Sequence, residues 1–353
     1  TNVSKAYDGS TSMSGLTIDL STIVTGDQVS ATGVGAFSQS SVGSNLTYSI
    51  SNLSLNGADQ NNYYLTGGTS LNGSNGAITA RPITITADSN QSKVYGNVDP
   101  TLGFTAEASS TGRGLVLGDS FTGSLSRATG ENVASYAINQ GTIANSNYAI
   151  NYVPANFAIT ARPITLTATS ATKIYGETDP SLAVTITSGS LASTAVTDTL
   201  AQVTGTLSRS AGESIGNYNI ALGSGGTAGT KASNYAITFN ATNQAIGITA
   251  RPIYISANAA QSKVYGEADP SLTYTTQAQA TGSGLLGTDS VSLTGALARA
   301  TGENVGTTYA INQGTVTTGS SNYSITYTGA NFAITARPIT ITADSNQSKV
   351  YGN

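Results

Sequence analysis

The sequence predicts an all-β protein, a tandem array of small β-sandwich or β-grasp-like modules following one another in an extended rod. Three observations carry that prediction. The phrase Ile-Thr-Ala-Arg-Pro-Ile occurs four times in 353 residues. Apolar and polar residues alternate with period two through short runs of β-branched and aromatic residues, separated by Gly, Asn, Asp or Pro, which is the pattern of half-buried strands. Helix signals are nearly absent, since no long stripe of period 3.6 appears and Thr, Ser, Gly and Asn are poor helix-interior residues. At most a helical turn is expected near Gly114 to Gly118 and its counterpart Gly284 to Gly287.

The copies of the phrase place Arg81, Arg162, Arg251 and Arg337 at intervals of 81, 89 and 86 residues. A unit of that size can fold alone, unlike a solenoid repeat of about 20 to 45 residues. The expected modules are therefore 1–81, 82–162, 163–251 and 252–337, with a further repeat opening at 338–353. Each full repeat begins with Lys-x-Tyr-Gly and Asp-Pro: Lys93, Tyr95, Asp99; Lys173, Tyr175, Asp179; Lys263, Tyr265, Asp269. A Leu-x-Arg-x-x-Gly-Glu segment follows (Arg127 and Glu131, Arg209 and Glu213, Arg299 and Glu303), then a tyrosine at Tyr136, Tyr218 or Tyr309. A Ser-Asn-Tyr stretch closes the unit at Tyr148, Tyr235 and Tyr323. The opening module is a divergent cousin, with Lys5-Ala6-Tyr7-Asp8-Gly9 at its start and Asn62-Tyr63-Tyr64 near its end.

Alternation in Ile83 to Thr86, Phe121 to Leu125 and Tyr148 to Tyr152 leads to an expectation of about six short strands per module. At the junction the apolar set moves from odd positions (Phe157, Ile159, Ala161) to even ones (Ile164, Leu166, Ala168), so the buried face switches at Arg162-Pro163. A one-residue phase change turns every side chain to the other face, and proline is excluded from central ladder positions, so the chain is expected to leave one core there and enter the next. No flexible Gly/Ser spacer intervenes, hence the expectation of a stiff rod.

Composition narrows function. The chain is 9% charged with net charge -4 and has no Cys, His or Trp, so Ser-His-Asp and Cys-His catalysis, the usual zinc and haem ligand sets and disulfides are excluded. Globular domains average roughly 25% charged residues; this composition is that of Thr-, Ser-, Asn- and Gly-rich extracellular β-proteins. No apolar run approaches the roughly 20 residues of a membrane span, and no basic cluster suits nucleic acid. Thr1 is followed by no charged-then-apolar leader, which places an expected export signal upstream.

The repeated motifs resemble the glycine-rich, mostly-β MBG repeats of large bacterial surface adhesins over residues 82–353, and Tyr7-Asp8-Gly9 resembles the YDG repeat that neighbours them in exoproteins related to filamentous haemagglutinin. The resemblance implies export through an outer-membrane secretion partner, a place at the cell surface or in the biofilm matrix, and a stalk of repeats supporting attachment and cohesion without catalysis.

Against a catalytic reading, Glu131, Glu213 and Glu303 are single carboxylates per module, and glycoside hydrolysis needs two; with the nearby arginine they are expected to brace a turn whose Gly130, Gly212 and Gly302 take positive φ. No cofactor is expected. Calcium ligation by Asp99, Asp179 and Asp269 with Asp119, Asp198 and Asp289 is disfavoured by the scatter of these residues, because calcium takes about six to eight oxygens. A self-formed amide crosslink would join Lys93, Lys173 or Lys263 to Asn147, Asn234 or Asn322 beside a buried acid; the simpler account has lysine lying over a tyrosine and asparagine capping a turn. The recurring tyrosines Tyr95, Tyr136, Tyr148, Tyr175, Tyr218, Tyr235, Tyr265, Tyr309 and Tyr323 are candidates for stacking on exopolysaccharide or host glycans, although their strict recurrence speaks more for module cores. The partners expected are neighbouring repeats, such glycans, or other copies in an extracellular filament.

Overall fold

A computed structural model describes residues 3–13, 16–223, 229–242 and 244–352. The first module is one five-stranded sheet built from β1 (Ser4–Ala6), β2 (Ser12–Met13), β3 (Ser30–Phe37), β4 (Gly43–Asn56) and β5 (Leu71–Thr79), in the order β1-β5-β4-β3-β2. Alternation on β4 sends Leu46, Tyr48 and Ile50 inward. Its register slips beside Asn45 and Asn52, both at φ 53; asparagine tolerates the left-handed region better than most residues, so the strand can bulge there.

The first repeat has seven strands: β6 (Arg81–Ala87), β7 (Gln91–Val94), β8 (Phe104–Ala106), β9 (Ser126–Arg127), β10 (Ala134–Asn139), β11 (Tyr148–Val153) and β12 (Asn156–Thr160). They form two sheets, β7-β12-β10-β9 and β11-β6-β8. The strand beyond the expected six is β9, whose two residues are too few for periodicity to register. The third repeat has the same seven, and its single core takes Ile253 and Ile255 from the counterpart of β6 together with Ile311, Phe332 and Ile334 from the other sheet. The repeats are thus pairs of small sheets, packed over one core in the third. They are not the all-antiparallel immunoglobulin sandwich, because β6 runs parallel to β11 and β7 parallel to β12.

The expected helical turn at Gly114 to Gly118 does not form; Gly114 (φ 79) and Gly118 (φ 92) make left-handed turns instead. The only α-helix among the described residues is α1 (Leu200–Thr204) in the second repeat, where Thr199 and Gln202 make a reciprocal capping box.

The chain divides into two compact units, one of residues 1–162 with 191–198 and 233–236, the other of the remainder. The buried face does switch at Arg-Pro: Phe157 and Ile159 are buried before it, Ile164, Leu166 and Ala168 after. Proline is tolerated because Pro82 is the second residue of β6, ahead of the Ile85–Ala87 stretch that β8 pairs, and the loop supplies Gly114 N–H to Pro82 O at 3.0 Å. The core itself does not stop there. In the first unit Tyr7, Ile78, Ile83 and Tyr148 belong to one buried cluster, because two tyrosines from successive modules pack across the joint.

Candidate functional site

Two constellations recur with the repeat. The first is a ring of four charges. Lys93, on β7, reaches Asp99 at 2.6 Å and Glu131 at 2.5 Å, and Arg127, on β9, reaches the same two carboxylates at 2.7 and 2.5 Å. The second repeat closes the ring with Lys173, Asp179, Arg209 and Glu213, the third with Lys263, Asp269, Arg299 and Glu303. Arg127 also donates to Ala128 O and Gly130 O and lies 5.2 Å from the Tyr136 ring centroid and 5.6 Å from that of Phe157. Gly130 sits at φ 145 with its missing Cβ aimed at the Tyr136 ring, 2.2 Å away, so no side chain fits there. The arginine and its glutamate do brace a turn, and the lysine, which sequence reasoning laid over a tyrosine, is instead held between two acids. The charges hold Asp99, Asp179 and Asp269 below the ordinary carboxylate range, the arginine hydrogen bond being the largest cause. For Asp179 and Asp269 the values fall to about 2.

The second constellation fastens one module to the next. Tyr7 of the opening module and Tyr148 of the first repeat both donate to Asp119, at 3.3 and 2.5 Å. Their rings meet edge to face with centroids 5.6 Å apart. The same triad is Tyr95 and Tyr235 on Asp198, at 3.0 and 2.8 Å, and Tyr175 and Tyr323 on Asp289, at 3.0 and 2.6 Å. Each Ser-Asn-Tyr hydroxyl also accepts a backbone N–H, from Val116, Ala192 or Leu286. Burial, then the facing carboxylate, pushes Tyr95 up to about 12; burial and the Asp119 or Asp289 hydrogen bond do the same for Tyr148 and Tyr323.

The Arg-Pro arginine locks the same joint. Arg81, 6% exposed, donates to Gly114 O (2.8 Å), Tyr7 O (3.1 Å), Ser110 O (2.5 Å) and Arg113 O (2.7 Å). Arg251, 1% exposed, donates to Gly284 O, Tyr175 O, Ala280 O and Ser283 O and pairs with Glu177 at 2.7 Å. Guanidinium suits this task because its planar fork carries five donors and stays charged. Among the described residues no buried side-chain nitrogen or oxygen lacks a partner.

The nine tyrosines singled out from the sequence fall into three groups. Tyr95, Tyr148, Tyr235, Tyr309 and Tyr323 are buried and present no ring face to a sugar; the first, second, third and fifth belong to the junction triads and Tyr309 to the core. Tyr136, Tyr175 and Tyr218 are half-buried, Tyr136 and Tyr218 against the ring arginines and Tyr175 in its triad. Tyr265 alone is exposed, at 49%. The asparagines of the crosslink idea lie elsewhere: Asn147 accepts from Val42 N–H, Asn234 from Val133 N–H and Asn322 from Ile215 N–H, each in the preceding module. Their lysines are engaged by the charged ring instead. Asp119, Asp198 and Asp289, considered above as calcium ligands, each take two tyrosine hydroxyls. These aspartates were the residues whose role the sequence did not reveal; the signal was their recurrence 29, 37 and 34 residues ahead of the Ser-Asn-Tyr tyrosine of the same repeat.

Sheet pairs sharing a core and joined by recurring tyrosine, aspartate and arginine locks define a tandem all-β repeat region. The MBG domain (YGX type) model matches residues 83–158, 164–243 and 253–333, and the YDG domain model matches residues 1–70. The chain belongs to the MBG domain family of YGX type, with a YDG domain at its start. No curated protein matches it.

Proposed function

We propose that this chain is a non-catalytic load-bearing segment, the stalk of an exported bacterial surface adhesin that supports attachment and biofilm cohesion, with neighbouring repeats as its first partners. The observation that carries the reading is the parallel pairing of strands at the beginning of each module with strands at its end. In the first repeat β7 runs parallel to β12, Gln91 opposite Phe157 through Val94 opposite Thr160, and β6 runs parallel to β11 over six residue pairs. The opening module does the same with β1 and β5, and the third repeat pairs Gln261–Val264 with Ala330–Thr335.

Tension applied at the two ends of such a module pulls parallel neighbours in opposite directions along their length. All the hydrogen bonds between them then carry load together, rather than opening one after another as when an antiparallel hairpin is peeled. The Arg-Pro joints pass the strand on through a single residue, Ala80 between β5 and β6.

Single-molecule pulling tests this. Pulled from its ends, the full chain is expected to unfold in discrete events, each at a force well above that needed when the handles are moved so that β12 is peeled from β7. Equal forces in the two geometries would refute the load-bearing reading.

A further inference from the structure

The second repeat carries an open trough on the outward face of one sheet. Its strands Ala171–Ile174, Ala245–Thr249 and Gly216–Leu222 lie side by side, with Ala245–Thr249 in the middle. Ile246, Ile248 and Ile220 belong to the core, so by alternation Thr172, Gly247 and Asn217 share the other face, in one row across the three strands. Ala245 and Asn219 stand opposite each other in the next row. Gly247 and Ala245 floor a cavity of about 350 Å³, with Ser170 and Thr172 on one side and Asn217 and Asn219 on the other. That volume lies at the lower end of small-molecule sites, roughly 300 to 1,000 Å³.

Neither backbone conformation nor packing accounts for Gly247. A glycine within a strand marks a bulge, a bend or the close approach of another group. Pairing on both sides of Gly247 keeps an unbroken register, and its φ lies outside the left-handed region. A Cβ there would meet only ordinary contacts, Asn217 Oδ1 at 3.4 Å and Thr172 Cγ2 at 3.5 Å. Asparagine is likewise depleted in strands, yet Asn217 and Asn219 project from one strand about 7 Å apart. Both are exposed, and among the described residues neither side-chain amide has a hydrogen-bond partner. The other two repeats fill this place differently: Ala158 and Ala333 stand where Gly247 does, and Asn156 and Asn331 occupy the middle strand opposite Ala137 and Ala310. In the second repeat the amides stand on the flank and the middle of the sheet is clear.

We propose that this trough binds a neutral hexose oligosaccharide. Among the described residues no charged side chain lines it, so an ionic ligand gains no counter-charge. The backbone groups of the middle strand are committed to its two neighbours, which leaves an extended peptide no ladder to join. A sugar hydroxyl both donates and accepts, and so do the two amides and the facing Ser170 and Thr172 hydroxyls. The C–H face of one ring lies flat on Gly247 and Ala245, where a Cβ at Gly247 would hold it off, while its hydroxyls reach Asn217 and Asn219. The site goes beyond the load-bearing reading and is independent of it, since these outward side chains take no part in strand pairing.

Nuclear magnetic resonance of the isotope-labelled full chain, followed at the side-chain amides of Asn217 and Asn219, tests it with maltohexaose, cellohexaose and mannohexaose up to about 10 mM, a range that covers the millimolar affinity of a shallow site. At least one of the three is expected to shift both amides saturably, with the same affinity at low and high salt, while an oligouronate of equal length does not. Gly247→Val, which fills the trough with a good strand former, and Asn217→Ala, which removes one amide, should each weaken binding about tenfold or more. Both substitutions lie on the outward face and keep the fold; should one lower the melting temperature, the other remains informative. No saturable shift with any of the three sugars, shifts confined to other residues, preference for the uronate, or binding that neither variant weakens overturns the proposal.

Discussion

Asp198 is the most exacting test of the junction. It is 7% exposed and accepts the Tyr95 and Tyr235 hydroxyls at 3.0 and 2.8 Å. A hydrogen bond to a charged group contributes about 1.5 to 3 kcal/mol, so two of them are worth about 3 to 6. Replacing the carboxylate with alanine also removes the cost of burying it, which offsets part of that loss. The expected net effect of Asp198→Ala is a destabilisation of about 2 to 4 kcal/mol, and Asp198→Asn, which keeps one acceptor oxygen, should cost about half as much. Calorimetry on the full chain, which need not melt as one transition, reads this as a downward shift of the event that contains Tyr95. The chain has no tryptophan, so tyrosine fluorescence during urea unfolding reports the ring environment directly. Tyr95→Phe alone should cost about 1 kcal/mol, and its cycle with Asp198→Ala should show a coupling of about 1 to 2 kcal/mol. Additive effects, or an alanine variant within about 0.5 kcal/mol of wild type, would show that the hydroxyls and carboxylate are mere neighbours.

Arg251→Ala should destabilise by about 3 to 5 kcal/mol, because the carbonyls of Gly284, Ala280 and Ser283 each lose a charged donor and Glu177 its cation; urea midpoints check it, and a surface-like effect would refute it. Gly130→Ala should cost clearly more than Gly118→Ala, since both have positive φ but only the former drives a Cβ into a ring, that of Tyr136, with open space around Gly118; the latter is expected near 1 kcal/mol. In alkali the neutral phenols are favoured by the fold: Tyr95, Tyr148 and Tyr323 hold their protons to about 12, whereas unfolded tyrosine releases them near the ordinary value of 10.0. Their contribution is complete below pH 10 and is lost as pH rises to about 12, at up to about 1.4 kcal/mol per pH unit for each ring; melting temperature against pH should fall across that window while absorbance at the tyrosinate band lags behind it. In acid the sign reverses. Asp179 and Asp269 stabilise the fold above the unfolded value of 3.8 and lose that contribution as pH falls through about 2, and added salt should shrink the effect because both carboxylates are partly exposed.

Much of the fold was legible in the residues. Period-two alternation marks β6 and β11, and the change of parity at Arg162-Pro163 locates the switch of buried face. The Leu-x-Arg-x-x-Gly-Glu motif announces a braced turn with a glycine at Gly130. The candidate site was legible in its members but not in its pairings. Lys93, Asp99, Arg127 and Glu131 recur together, yet nothing in their spacing says that one lysine and one arginine share the same two acids. Nor does the recurrence of Tyr7 and Tyr148 say that they meet on Asp119, since Tyr7 and Asp119 are 112 residues apart.

The stretch of residues 83–97 shows how the two contributions divide. Ile83 and Ile85 are 1% and 0% exposed on β6 and Tyr95 is 0% exposed. The sequence by itself determined the alternation, the turn residues and which side chains are fit to be buried. Which strand covers them was decided only by tertiary structure, because β6 satisfies its backbone and covers its isoleucines on β11, whose Tyr148 stands opposite Arg81, and no local pattern in β6 names that partner.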